Sequence, residues 1–164
     1  QTGTGDSDWK ARPAVASVGA AAFLKNPKMQ DEIFGPFSLV VKCKDEPEML
    51  QVASKLHGQL TASIMGDEGE LGSWAELFDT LQTKAGRVIF NGVPTGVEVC
   101  HAMQHGGPFP ASTDSRFTSV GTGAIKRFAR PIAIQDCPDA MLPDALQAGN
   151  PLNIWRLVNG NWTK

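Results

Sequence analysis

Three short apolar runs, Leu39-Val40-Val41, Leu60 to Met65 and Arg87 to Asn91, alternate with two segments of helical periodicity. That order limits the fold more than any other feature. In the first segment Asp45 is placed to cap a helix whose first turn tolerates Pro47. Its apolar stripe is Met49, Leu50, Ala53 and Leu56, and Gly58 stops it. In the second, Asp67 and Glu70 form a cap-like pair ahead of Leu71, Trp74, Ala75, Phe78 and Leu81, with Gly86 as the expected terminator. Strand, helix, strand, helix, strand with short connections is the mark of parallel βαβ units with right-handed crossovers. The uninterrupted Leu39-Val40-Val41 run further predicts a strand covered on both faces. "AVASV" before it reads as one more short strand.

Beyond Asn91-Gly92 the periodicity ends, and a stretch rich in Gly, Pro, Ser and Thr runs to about Thr122. A loop of that length in a folded domain is usually functional. "AIKRFA" then predicts a short helical piece, "PIAIQ" a strand, and Asn159-Gly160 a hairpin turn. The polar opening "QTGTGDSD" reads as a loose lead-in. Its Gly3 and Gly5 lack the third glycine and the strand-to-helix setting of a dinucleotide fingerprint.

A length of 164 residues suits one ordinary core. A net charge of −2 without runs of either sign leaves no electrostatic footprint for nucleic acid or an anionic membrane, so small molecules or proteins are the expected partners. No apolar run reaches the roughly 20 residues of a membrane span. Cys43, Cys100 and Cys137 form neither a CxxC pair nor a disulfide pattern, which fits a reducing, cytoplasmic location. The chain does not begin with Met and is expected to be processed or cut from something longer.

Two stretches carry candidate chemistry. In "GVEVCHAMQHGG" Cys100 stands beside His101, with His105 four residues on. Activating a thiolate takes a base or a helix N-terminus, and adjacency supplies neither, because successive side chains diverge. A zinc site from Cys100, His101 and His105 needs a helix that the following glycines cut short. A small packing residue is the plainer reading of Cys100. In "MQDEIFGPFSLVV" a carboxylate and an aromatic ring precede a turn into a core strand. A carboxylate can accept from both hydroxyls of a ribose, and a flat ring can bound a heterocycle. An acidic loop with a core Phe is the alternative.

"DEIFGPFSLVV", "GQLTASI", "GRVIFNGVPTGVEVCHAMQHGGPFPASTDSRFTSVG" and "FARPIAIQ" together resemble the C-terminal part of an aldehyde dehydrogenase, from about Arg12 onward. The segment "PTGVEVCHAMQHGGPFPAST" is most similar to the branch of that family acting on 2-oxoglutarate semialdehyde (2,5-dioxopentanoate), with some likeness to long-chain aldehyde enzymes. The resemblance implies an α/β fold with a partly parallel βαβ sheet. Residues 1–123 would be the C-terminal part of the nucleophile-bearing catalytic domain, and residues 124–164 an oligomerisation strand and tail. It implies that Glu32 binds the ribose beside nicotinamide of NAD or NADP and that Phe34 lies along the cofactor. Residues 92–107 would anchor the aldehyde, with Pro94, Thr95, Gly96, Val97 and His105 at the substrate. Arg116 is a further donor if its segment folds back. "PIAIQ" would pair across subunits of a homo-oligomer, a dimer or tetramer.

The parent reaction so implied is thiolate attack on the aldehyde, hydride transfer to NAD(P)⁺ and thioester hydrolysis. The family's Gly-Gln-x-Cys nucleophile segment, its Glu-Leu-Gly-Gly base segment and its adenosine-binding Lys and Gly-Ser motifs do not occur here. The chain is therefore expected to be an inactive piece of the enzyme, or alternatively an association module derived from the same fold. Cys100 aligns with the anchoring loop and not with the nucleophile.

Overall fold

The computed structural model describes residues 11–164, so the polar lead-in with Gly3 and Gly5 lies outside the described residues. The chain divides into two compact units, one ending at Ala129 and one formed by Arg130–Lys164.

The first unit holds strands β1 (Ala14–Gly19), β2 (Phe37–Lys42), β3 (Gln59–Ile64) and β4 (Ala85–Phe90), with helices α1 (Ala20–Lys25), α2 (Glu46–Lys55) and α3 (Ala75–Gln82). β1 pairs in parallel with β2, Val15 opposite Ser38, and β3 pairs in parallel with β4, Ala62 opposite Val88. The expected sheet is thus present as two separate parallel pairs, with no ladder joining β2 to β3 among the described residues.

α2 begins as its sequence dictates. Asp45 Oδ1 accepts from the Glu48 amide at 3.0 Å, and Pro47 sits in the first turn, where its missing N–H costs nothing. Val52 and Ala53 are buried. Ala53 joins Ile64, Leu77 and Leu81 in one apolar cluster, whereas Val52 joins Ala20 and Phe23 in another, packed by Leu39, Val41 and Leu56. One helix therefore covers both strand pairs.

Three expectations are corrected. Val40 is 46% exposed, so β2 is covered on one face only, the face of Leu39 and Val41. The second helix is split: Leu71–Trp74 forms a 3₁₀ turn before α3, which ends at Gln82, and Gly86 lies inside β4. Among the described residues the Asp67 side chain caps no amide of that turn. The Asp67 backbone carbonyl accepts from the Glu70 and Leu71 amides, closing a turn.

In the second unit, β5 (Arg156–Val158) and β6 (Asn161–Thr163) form the expected hairpin. Asn159 (φ 52°) and Gly160 (φ 81°) take the left-handed pair of conformations that a two-residue type I′ turn requires. Arg156 fastens this unit, its Nη1 donating to the Gln147 carbonyl at 2.6 Å. "PIAIQ" is not a strand among the described residues, and Ile132 is 73% exposed. An extended segment forms a ladder only where a second edge satisfies its N–H and C=O groups.

Candidate functional site

Residues 91–121 contain no helix or strand, yet they are held at defined points. At the exit of β4, Asn91 adopts φ 49°, donates its amide to the Ile64 carbonyl at 2.9 Å, and accepts from the Gly66 amide through Oδ1 at 2.9 Å. The short polar Asn side chain tolerates this left-handed conformation, so the chain leaves β4 at a fixed angle.

Downstream, the loop's backbone lies directly on the strand starts. A Cβ on Gly58 would strike the Pro108 carbonyl, and one on Gly86 would strike the Gly106 carbonyl. Only glycine permits that approach. The Gly58 amide also donates to the Phe109 carbonyl at 3.3 Å.

Glu32 and Phe34 share a cleft of 680 Å³, walled by Asp31, by Gly58 to Thr61 at the start of β3, and by Pro110 and Ala111 of the loop. Gln30 Oε1 accepts from the His57 amide at 3.0 Å, tying the approach to the Glu32 turn to the end of the α2 connection. Phe34 is 91% exposed, an apolar ring presented to whatever occupies the cleft. A carboxylate and a bare aromatic face at one cleft fit a ribose with an adjoining heterocycle, since hydroxyls can donate to Glu32 while the ring stacks.

The remaining sequence-predicted residues lie elsewhere in the first unit. Thr95 donates its amide to the Val93 carbonyl at 2.8 Å, tightening the turn that includes Pro94. The Gly96 carbonyl, beside Val97, accepts from Arg87 Nη1 at 3.2 Å. His105 is fixed through its backbone: its amide donates to Thr118 Oγ1 at 2.8 Å, and its carbonyl accepts from the amide and the hydroxyl of Ser119, both at 2.9 Å. Its ring Nδ1 is buried and has no partner among the described residues.

Arg116 is committed to Asp114. Its Nη2 meets Oδ2 at 2.6 Å, its Nε meets Oδ1 at 2.9 Å, and its guanidinium lies 5.4 Å from the Phe117 ring centroid. The hydrogen bonds from the Arg116 side chain and then from its amide hold the Asp114 carboxyl down to about 2, and Arg116 is pushed up in return. Arg116 is exposed and does not line the Glu32 cleft.

Cys100 and His101 turn to different partners. His101 Nδ1 lies 3.0 Å from Thr122 Oγ1, and the Cys100 carbonyl accepts from the Met103 amide at 3.3 Å. No group of three or more His, Cys, Asp or Glu is placed to hold a metal ion among the described residues. Cys43 packs beside the Val52 cluster, and burial, followed by the charges of Glu48 and Asp45, pushes its thiol up, away from thiolate chemistry.

Sequence reasoning missed Arg87. Its guanidinium reaches from β4 to the Gly96 carbonyl and to Met103 Sδ at 3.9 Å, and its buried Nε is unpartnered among the described residues. The available signal was a lone cation opening the apolar run Val88-Ile89-Phe90. A charge in such a strand needs a polar partner, and the loop carbonyl is that partner.

The family model described as "Aldehyde dehydrogenase family" matches residues 17–121, the stretch that contains the cleft residues and the whole loop. Alpha-ketoglutaric semialdehyde dehydrogenase of Acinetobacter baylyi is 54% identical over 156 residues, covering 94% of this chain and 30% of that protein. Alpha-ketoglutaric semialdehyde dehydrogenase 2 of Azospirillum brasilense is 50% identical over 154 residues, covering 94% of this chain and 29% of that protein. The chain thus spans about 30% of the length of the curated relatives it matches. No helix among the described residues is long and apolar enough to cross a membrane.

Proposed function

The chain belongs to the aldehyde dehydrogenase family, and we propose that it is the C-terminal portion of the catalytic domain of an NAD- or NADP-dependent oxidoreductase acting on 2-oxoglutarate semialdehyde. The observation that carries this reading is the cleft at which Glu32 and Phe34 meet the start of β3 and the loop residues Pro110 and Ala111. The two relatives' names, at 54% and 50% identity, support the substrate.

In this reading residues 1–123 contribute cofactor and substrate positioning, and residues 124–164 contribute assembly. Glu32 accepts from the hydroxyls of the nicotinamide ribose, and Phe34 borders the ring. NAD(P)⁺, when bound, supplies the hydride acceptor. The turn through Pro94, Thr95, Gly96 and Val97 orients the aldehyde, and Arg87 fixes that turn by holding the Gly96 carbonyl. The His105 ring stands ready for the oxygens at the substrate's far end, which lose water on binding and need replacement donors. Arg116 is the weaker donor, because Asp114 already occupies its guanidinium. The exposed apolar segment Pro131 to Gln135 pairs across subunits of a homo-oligomer, a dimer or tetramer, working in the cytoplasm.

Activity of the full-length protein tests this directly. It should reduce NAD⁺ or NADP⁺ with 2-oxoglutarate semialdehyde, and the 164-residue chain alone should not. His105→Ala should cost the dicarbonyl substrate about 1–3 kcal/mol in kcat/KM and an unsubstituted aldehyde of equal length much less. Turnover by the isolated chain that Cys100→Ser abolishes would contradict the assignment of the nucleophile to another part of the protein.

A further inference from the structure

We propose that Thr118 is a positioning residue for substrate selection: with Ser119 it holds His105 in one place and so sets how the enzyme reads the polar end of its aldehyde. The inference rests on the reading of His105 as a donor to that end, and it deepens that reading. Both backbone polar groups of His105 are taken by a segment that lies thirteen and fourteen residues further along the chain. The amide donates to Thr118 Oγ1 at 2.8 Å, and the carbonyl accepts from the amide and the hydroxyl of Ser119, both at 2.9 Å. The Thr118 hydroxyl in turn donates to the Val120 carbonyl at 2.6 Å and accepts from the Val120 amide at 3.3 Å. A hydroxyl has one proton and two lone pairs, and here all three are in use. Its direction is thereby set.

The clamp stands where water does not substitute for it. Thr118 is only 7% exposed, so a bond lost there is not replaced by solvent. What the clamp holds still has spare capacity. The backbone of His105 is satisfied on both sides, while its ring Nδ1 is buried without a partner among the described residues. A histidine that served only to pack this loop would have found that nitrogen a partner. A residue whose backbone is immobilised and whose ring nitrogen is left over is held for a group from outside the chain.

The same clamp fixes a distance. From His105 the chain runs straight toward the cofactor cleft, with the Gly106 carbonyl against Gly86 of β4 and the Pro108 carbonyl against Gly58. Between them the Gly107 carbonyl accepts from Ser112 Oγ at 2.6 Å, and Pro110 and Ala111 then wall the cleft of Glu32 and Phe34. An aldehyde gripped at its far end must present its reacting carbon to the nicotinamide, and a misplacement of about 1 Å can cost about 100-fold in rate. Thr118 secures the His105 end of this run. It therefore acts on substrate choice through His105, without touching the substrate.

Steady-state kinetics of the full-length enzyme on 2-oxoglutarate semialdehyde and on an unsubstituted aldehyde of equal length test the proposal. Thr118→Val should raise KM for the dicarbonyl substrate about tenfold with kcat changed less, and leave the plain aldehyde within about twofold of the parent. Thr118→Ser keeps the hydroxyl and should keep the discrimination. In a His105→Ala background Thr118→Val should bring no further loss of discrimination, because the ring it positions is gone. Ser119→Ala removes one of the two bonds at the His105 carbonyl from an exposed position and should raise KM for the dicarbonyl substrate about threefold. Discrimination lost in His105→Ala but intact in Thr118→Val would overturn the positioning role and leave His105 as the reader. Equal losses on both substrates in His105→Ala would overturn the reading of His105 and the proposal with it. A loss in Thr118→Val that falls equally on both substrates, or that Thr118→Ser shares, would reduce Thr118 to a staple of the loop. If Thr118→Val does not fold, Ser119→Ala decides, and unchanged discrimination there would overturn the proposal.

Discussion

The strand and helix body up to Phe90 and the loop of residues 91–121 are both well defined, but by opposite means. The body is fixed by side chains: Ile64, Leu77 and Leu81 are buried in one cluster with Ala53, and Val52 and Phe23 in another with Ala20. The loop is fixed by backbone atoms: carbonyls that receive Arg87, Ser119 and the Gly58 amide, and close approaches that only Gly58 and Gly86 permit. Truncating a side chain should therefore damage the body, whereas adding one should damage the loop.

The largest effect is expected from Leu77→Ala, which empties a buried site in the cluster shared with Ala53, Ile64 and Leu81. Chemical denaturation should show a loss of about 2–5 kcal/mol. A loss below about 1 kcal/mol would mean that burial does not hold the body together.

Gly86→Ala is the converse probe. The added methyl meets the Gly106 carbonyl, and the backbone must shift to admit it, at about 1–3 kcal/mol. Its signature is local: the His105 amide, held by Thr118 Oγ1, should exchange faster while the Met49 and Leu56 amides, held by the Asp45 and Ala53 carbonyls, stay protected. Uniform loosening of both regions would erase the contrast.

Thr118→Val is isosteric and removes three hydrogen bonds, those accepted from the His105 and Val120 amides and that donated to the Val120 carbonyl. Thr118 is only 7% exposed, so water does not replace them, and a cost of about 1–3 kcal/mol is expected by denaturation.

The smallest effect belongs to the Asp114–Arg116 pair. The folded carboxyl is held below its ordinary value of 3.8, at about 2, so its contribution is complete above the ordinary value and is lost as pH falls through about 2. An NMR titration of the Asp114 side chain should give a midpoint near 2. Arg116→Gln should return the midpoint to the ordinary carboxylate range, with little change in stability near neutral pH.

The body was the more legible region because its signals are local. A cap such as Asp45, a period of three and four, or a turn such as Asn159-Gly160 acts within a few residues of chain. The Asp67 cap and the unbroken second helix failed locally, and the other errors fell where a distant partner decides the outcome. Val40 completes an apolar run, yet it remains 46% exposed among the described residues. Gly86 looks like a helix stop but is required by Gly106, twenty residues later. Pro131 to Gln135 has strand composition, and composition alone supplies no second edge. Glu32 and Phe34 line one cleft because they lie two residues apart in "EIFGP". Arg87 was not legible, since its role depends on a carbonyl nine residues away in an irregular loop.

The central claim is that the Glu32 carboxylate positions the nicotinamide ribose in the full-length enzyme. Glu32→Gln keeps the shape but leaves one acceptor oxygen in place of two. Single-turnover reduction of the cofactor, measured at saturating NAD(P)⁺ and 2-oxoglutarate semialdehyde, should slow by about tenfold, equivalent to one lost hydrogen bond of about 1.4 kcal/mol, while cofactor affinity changes less. An unchanged single-turnover rate would contradict the claim.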